Sequence, residues 1–123
     1  MNNPTNSSNQ IEAIGITGRA FNLIAENSHL TGTINLDQIS HIYGKVAGTI
    51  KAAAGSLIVI KPSGQIEGKI EADSIIVDGF FEGELIATGK VTLSRTARVL
   101  GKIITNNLVI ENGAFFEGEA IHP

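Results

Sequence analysis

The chain has 123 residues, 42% of them hydrophobic but 5% aromatic, with no Trp, no Cys and a formal net charge of −3. One domain fits that length, its core must be aliphatic, and the lack of cysteine excludes disulfide staples and thiolate zinc sites. The slight acidity offers no basic footprint for nucleic acid, and no apolar run reaches the roughly 18 residues of a membrane span.

Residues 1–10 (MNNPTNSSNQ) carry no charged side chain and little apolar surface, too little to offset the entropy of ordering. Residues 1–20 are therefore assigned to a flexible tail, with IEAIGITGRA at 11–20 as its more apolar part or a partial cap. The N-terminus has neither a basic n-region nor an apolar h-region, so no secretory signal is expected.

From about Phe21 one pattern repeats: small, x, apolar, x, Gly, x, apolar. A first copy is Leu30-Thr31-Gly32-Thr33-Ile34. The pattern returns as Gly44-Lys45-Val46-Ala47-Gly48-Thr49-Ile50, then Gly64-Gln65-Ile66-Glu67-Gly68-Lys69-Ile70, then Gly79-Phe80-Phe81-Glu82-Gly83-Glu84-Leu85. The last copies are Ala97-Arg98-Val99-Leu100-Gly101-Lys102-Ile103 and Ala114-Phe115-Phe116-Glu117-Gly118-Glu119-Ala120. Alternation with period two makes each copy a strand. The central glycines are 16, 20, 15, 18 and 17 residues apart, the mark of a repeat architecture.

Further apolar strands lie between the copies: Leu57–Ile60, Ile75–Val77, Val91–Leu93 and Leu108–Ile110. Turn clusters such as Lys61-Pro62-Ser63-Gly64, Asp78-Gly79 and Glu111-Asn112-Gly113 separate them. After Gly32 no stretch of helical length has helical periodicity. A unit of about 17 residues cannot bury its own apolar face, but stacked units share one core. The chain is thus expected to be an all-β coil of parallel strands, with equivalent residues in columns.

Two inward columns are predicted, Val46–Ile66–Phe81–Val99–Phe116 and Ile50–Ile70–Leu85–Ile103–Ala120, with the glycines between them as inward core spacers. Three columns are predicted to face outward. Thr49–Lys69–Glu84–Lys102–Glu119 alternates charge between coils, Lys45–Gln65–Phe80–Arg98–Phe115 sets an arginine between two aromatics, and Lys51–Glu71–Ile86–Ile104–Ile121 ends in an apolar strip.

Chemical sites are weakly signalled. No phosphate-binding Gly-x-x-x-x-Gly-Lys-Ser/Thr occurs. His29, His41 and His122 are the residues that a zinc- or base-dependent β-helix enzyme would use, but nothing in the sequence orients them together. Glu67, Glu71, Asp73, Glu82, Glu84, Glu117 and Glu119 are expected on a solvated face. No catalytic, cofactor or metal residue is assigned.

The six copies, their spacing, the Ile42–Ile50 stretch and the Leu108–Gly118 ending resemble the bactofilin family over about residues 21–121. That resemblance implies a right-handed parallel β-helix of triangular section, about six coils of roughly 17 residues, with 122–123 as a short end. It also implies a non-enzymatic bacterial cytoskeletal scaffold that polymerises without a nucleotide or other cofactor. Its place would be the cytoplasm or the inner face of the cell membrane, where it organises cell shape or cell-wall machinery. Many members carry an apolar residue after Met1 and then basic residues as a membrane-targeting signal. Met1-Asn2-Asn3-Pro4 has neither, so direct membrane binding is not expected.

A stack of strands has two open ends with unpaired backbone groups and uncovered core. The expected polymer interface is Leu23, Ile24, Leu30 and Ile34 at one end and Leu108, Ile110, Phe115 and Phe116 at the other, where only Ile121-His122-Pro123 follow the last repeat. Phe80, Arg98, Ile86 and Ile104 are expected to form a lateral or partner surface. The partner is the chain itself, with cell-wall enzymes or membrane proteins as further candidates and nucleic acid excluded. Two alternatives stand beside the scaffold: a non-polymerising adaptor for a cell-wall enzyme, and a small acyltransferase or carbonic-anhydrase-like enzyme.

Overall fold

The computed structural model describes residues 13–16 and 19–123, with side-chain surroundings from Asn22 onward. Eleven strands follow in chain order: β1 (Ala13–Ile16), β2 (Arg19–Ile24), β3 (His29–Leu36), β4 (Ile39–Ile42), β5 (Lys45–Ala52), β6 (Leu57–Ile60), β7 (Gln65–Val77), β8 (Phe80–Leu93), β9 (Arg98–Thr105), β10 (Leu108–Ile110) and β11 (Phe115–Ile121). Parallel pairs join them throughout, except that β1 lies antiparallel to β2. Parallel partners one coil apart are what a solenoid requires and a hairpin sheet forbids.

Each coil contributes to three ladders. Ladder A runs through the residues before each central glycine, as in His29↔Lys45↔Gln65↔Phe80↔Arg98↔Phe115. Ladder B runs through the residues after it, as in Ile34↔Ile50↔Ile70↔Leu85↔Ile103↔Ala120. Ladder C joins Leu23↔His41↔Val59↔Ile76↔Thr92↔Val109. The register is the one that the repeats predict, residue for residue on ladders A and B.

The core is aliphatic, as the composition demands. Ile42, Ile50, Ile58, Ile60, Ile66, Ile70, Ile75, Leu85, Leu93 and Ile103 are fully buried, and among the described residues Phe81 is the one fully buried aromatic. Each such side chain contributes about 1.5–3 kcal/mol of transfer free energy. Near the first coils the inward column of ladder C turns polar. Asn22 Nδ2 there donates to the Asp37 carbonyl (2.9 Å) and to Ser40 Oγ (3.1 Å), so the buried amide is not orphaned.

The glycine column departs from its expected place. Gly48, Gly68, Gly83, Gly101 and Gly118 have φ between +128° and +145°, and none is buried. They form the corner where ladder A bends into ladder B, not an inward spacer. At these φ values an L side chain is strained. A Cβ on each would also strike the backbone carbonyl of the glycine one coil earlier. Buried apolar residues, such as Ile66 and Ile70, stand on either side of this corner.

The other corners are tied by side chains to the preceding coil. Ser63 Oγ donates to the Tyr43 carbonyl (2.9 Å), Ser94 Oγ to Val77 (3.1 Å) and Thr96 Oγ1 to Asp78 (2.7 Å). Asp73 joins three coils. Its carboxylate accepts from the Gly55 N–H (3.0 Å) and from Thr88 Oγ1 (2.9 Å), beside the register shift between Ala72 and Ser74. The sequence placed Asp73 on a solvated face, but it staples a corner. Asp73→Ala should therefore destabilise the chain by about 1–2 kcal/mol, a lowered Tm in a circular-dichroism melt; an unchanged Tm would show the staple to be idle.

The alternating outward column keeps its register, but the ion pair formed runs along a strand, Lys69 Nζ to Glu71 Oε2 at 3.1 Å. As an exposed pair it contributes a few tenths of a kcal/mol to about 1. Within the span assigned to the tail, β1 and the start of β2 are strand; residues 1–12 and 17–18 lie outside the described residues.

Candidate assembly surfaces

The two ends of the stack differ. At the C-terminal end the core columns run out into solvent. Ile60, Val77 and Leu93 are fully buried, whereas Ile110, next in their column, is 48% exposed. Phe116 continues Phe81 and Val99, and Ala120 continues Leu85 and Ile103, yet Phe116 is half-buried and Ala120 exposed. Leu108 and Phe116 are partly buried and pack against the core. Phe115 is 46% exposed, with the Arg98 guanidinium 5.9 Å from its ring centre.

This end is a layer of core positions lacking the coil that covers them elsewhere. Among the described residues β10 and β11 pair on one side, with β8 and β9, leaving backbone donors and acceptors along their outer edges. All four residues expected there, Leu108, Ile110, Phe115 and Phe116, lie on this layer.

The N-terminal end is more closed. Ile24, Leu30 and Ile34 are buried in the core of the single chain, and Leu23 is half-buried on the outer side of ladder C. β1 runs antiparallel along the outer edge of β2. The edge of β3, paired on its other side with β5, supplies the backbone groups at this end among the described residues.

On the side walls, Phe80 is half-buried and Arg98 exposed in one outward column with Phe115. Ile86, Ile104 and Ile121 form the outward strip of ladder B, all half-buried. A second apolar strip was missed. The outer positions of ladder C are Leu23, His41, Val59, Ile76, Thr92 and Val109, flanked by Ile39 and Leu57. Its sequence signal was the unbroken apolar run Leu57–Ile60, which a strand buried on both faces also shows.

The histidines are dispersed. His29 sits on ladder A of the first repeat, His41 on ladder C and His122 beyond β11. Among the described residues no three His, Cys, Asp or Glu side chains are grouped to hold a metal ion. Glu67 and Glu82 are register partners on ladder A, both exposed.

Comparison with known proteins agrees with this architecture. Residues 22–120 match the family described as "Bactofilin: Polymer-forming cytoskeletal". Bactofilin BacO of Myxococcus xanthus is 30% identical over 99 residues, which are 80% of this chain and 77% of BacO. Bactofilin BacP of the same organism is 28% identical over 89 residues, 72% of this chain; the match spans 36% of BacP's length. Among solved structures, a phenylalanine-to-arginine mutant of the bactofilin from Thermus thermophilus is similar with a TM-score of 0.66 and 28% identity. That match covers 72% of this chain and 96% of the Thermus chain.

Proposed function

The chain belongs to the bactofilin family of polymer-forming cytoskeletal proteins, and from that premise we propose a non-enzymatic scaffold that assembles end to end without nucleotide. The observation that carries this is the C-terminal layer. Ile110, Phe116 and Ala120 occupy columns whose interior members are fully buried, and they stand partly or wholly in solvent. A docked second chain would continue those columns and pair the free strand edges. Association is then driven by buried apolar area and backbone hydrogen bonds, which a bound nucleotide does not supply.

Such a filament would work in the cytoplasm or at the inner face of the cell membrane, holding cell-wall or cell-shape machinery in place. Among the described residues no helix is long and apolar enough to cross a membrane. A second reading, an adaptor that recruits a cell-wall enzyme, is favoured by the side-wall pair of Arg98 and Phe115 and by the Ile86–Ile104 strip, since exposed aromatic and arginine residues are common interface anchors.

Electron microscopy of the purified chain in nucleotide-free buffer tests the proposal. Filaments should form and sediment. A species of one or two chains at every concentration, protein length and ionic strength would favour the adaptor.

A further inference from the structure

The outer side of ladder C differs from the other two walls. Ladder A carries Lys45, Glu67, Glu82, Arg98 and Glu117 outward, and ladder B carries Lys69, Glu71, Glu84, Lys102 and Glu119. On ladder C the two outward columns are Leu23–His41–Val59–Ile76–Thr92–Val109 and Ile39–Leu57–Ser74–Lys90. Lys90 is the single Lys, Arg, Asp or Glu among these residues. Ile39 is 43% exposed and Val109 37% exposed, Leu23, Leu57 and Ile76 are half-buried, and Val59 between them is buried at 8%. Parallel sheets are normally covered on both faces. Here the inner face has the core, and the outer face presents isoleucine, leucine and valine.

We infer that this wall is a second self-association surface, on which two chains pack side by side, ladder C against ladder C. It rests on the polymer reading for its continuity. The column ends at Val109, next to Ile110 in the exposed C-terminal layer, so the apolar surface of the side runs into that of the end. In an end-to-end filament every subunit adds its own copy of the strip. Contacts too weak to pair two chains then act together along two filaments. A two-fold pairing brings each patch onto itself, so one surface suffices. The wall lacks the cluster of basic side chains that an anionic lipid surface selects. Lys90 can keep its ammonium group at the rim while its stem packs.

Four proteins test the inference: the wild type, a side variant (Ile39→Glu with Ile76→Glu), an end variant (Phe116→Arg) and the combination. A second side variant, Ile39→Thr with Ile76→Thr, keeps β-branched residues on the strands and guards against misfolding. The wild type should form paired or bundled filaments, and both side variants single filaments of half the width or less. In the end-variant background the Glu side variant should raise the dimer dissociation constant by at least about tenfold, as charges in an interface core do.

Wild-type bundling or dimerisation in the side variants would overturn the inference. Filaments persisting in the end variant would refute the end-to-end reading alone, because filament width still judges the side wall. Co-sedimentation with phosphatidylcholine vesicles, with and without phosphatidylglycerol, separates the lipid alternative. Vesicle binding lost in the side variants while bundling persists would assign the wall to a membrane and sink the chain-to-chain contact.

Discussion

Phe116→Arg will convert filaments into folded particles of one or two chains. Phe116 is the last described member of the column Phe81–Val99–Phe116, and it is half-buried, with no described strand paired on its outer side. In the isolated chain an arginine there loses part of a packed ring but can hold its guanidinium in water, so the fold should survive. In the assembled end the same guanidinium would be enclosed by a second chain's apolar layer. Removing the aromatic anchor and burying an unpaired charge should together cost at least about 3 kcal/mol, more than 100-fold in the association constant at each junction. Phe115→Arg should be milder. Its ring points outward beside Arg98, 5.9 Å from the guanidinium, and the change mainly replaces a cation–π contact by like-charge repulsion, which salt screens. Sedimentation velocity with circular dichroism on the same samples reads both effects. Wild-type filaments from folded Phe116→Arg protein would show that the C-terminal layer is not the junction.

Much of this was legible in the sequence, for a physical reason. Side chains alternate along a strand, and a stack forces equivalent positions to pair, so six similar segments specify both strand and register. That is why Gln65↔Phe80 and Lys69↔Glu84 pair as the columns predict. The bend at the glycines was not legible. The string Ile66-Glu67-Gly68-Lys69-Ile70 has its apolar residues four apart whether Gly68 points inward or turns a corner, and only its φ of +136° separates the two. Asp73 was also opaque, because its partners Gly55 and Thr88 come together only through a register shift that the repeat spacing does not reveal.

The exposure of the C-terminal layer was readable because the last repeat exposes the same residue types that earlier repeats bury. The burial at the N-terminal end was not. Leu30 and Ile34 look like an open first layer in sequence, yet both are core residues of the single chain. The outer strip of ladder C hid in runs such as Leu57-Ile58-Val59-Ile60, where Ile58 and Ile60 face the core and the strand's other face is apolar too.

Gly83→Ala will cost the chain its fold, or most of its stability, although it adds one methyl group at a position that is not buried. Two effects coincide there. At φ +136° alanine occupies a region that is essentially glycine's own, at about 1–3 kcal/mol. The new Cβ would also overlap the Gly68 carbonyl oxygen. That obstacle is backbone held in a parallel ladder, so no rotamer change can relieve it. Gly101 takes the same position one coil later, with its own Cβ site against the Gly83 carbonyl, so moving the corner of one coil disturbs the next. Overpacking of this kind adds about 1–3 kcal/mol, and the sum approaches the 5–15 kcal/mol that holds a typical domain together. Circular dichroism should show a Tm lowered by more than about 15 °C, or insoluble protein. Gly32→Ala provides the control. Its φ is +106°, but no atom of the described residues lies within 4 Å of the added Cβ, so it carries backbone strain without that overlap and should lose only about 1–3 kcal/mol. The gap between the two melts therefore measures the stacking of one coil's corner on the last. Equal melts would mean that the corners tolerate a side chain, and that the recurrence of glycine every 15 to 20 residues has its cause in φ alone.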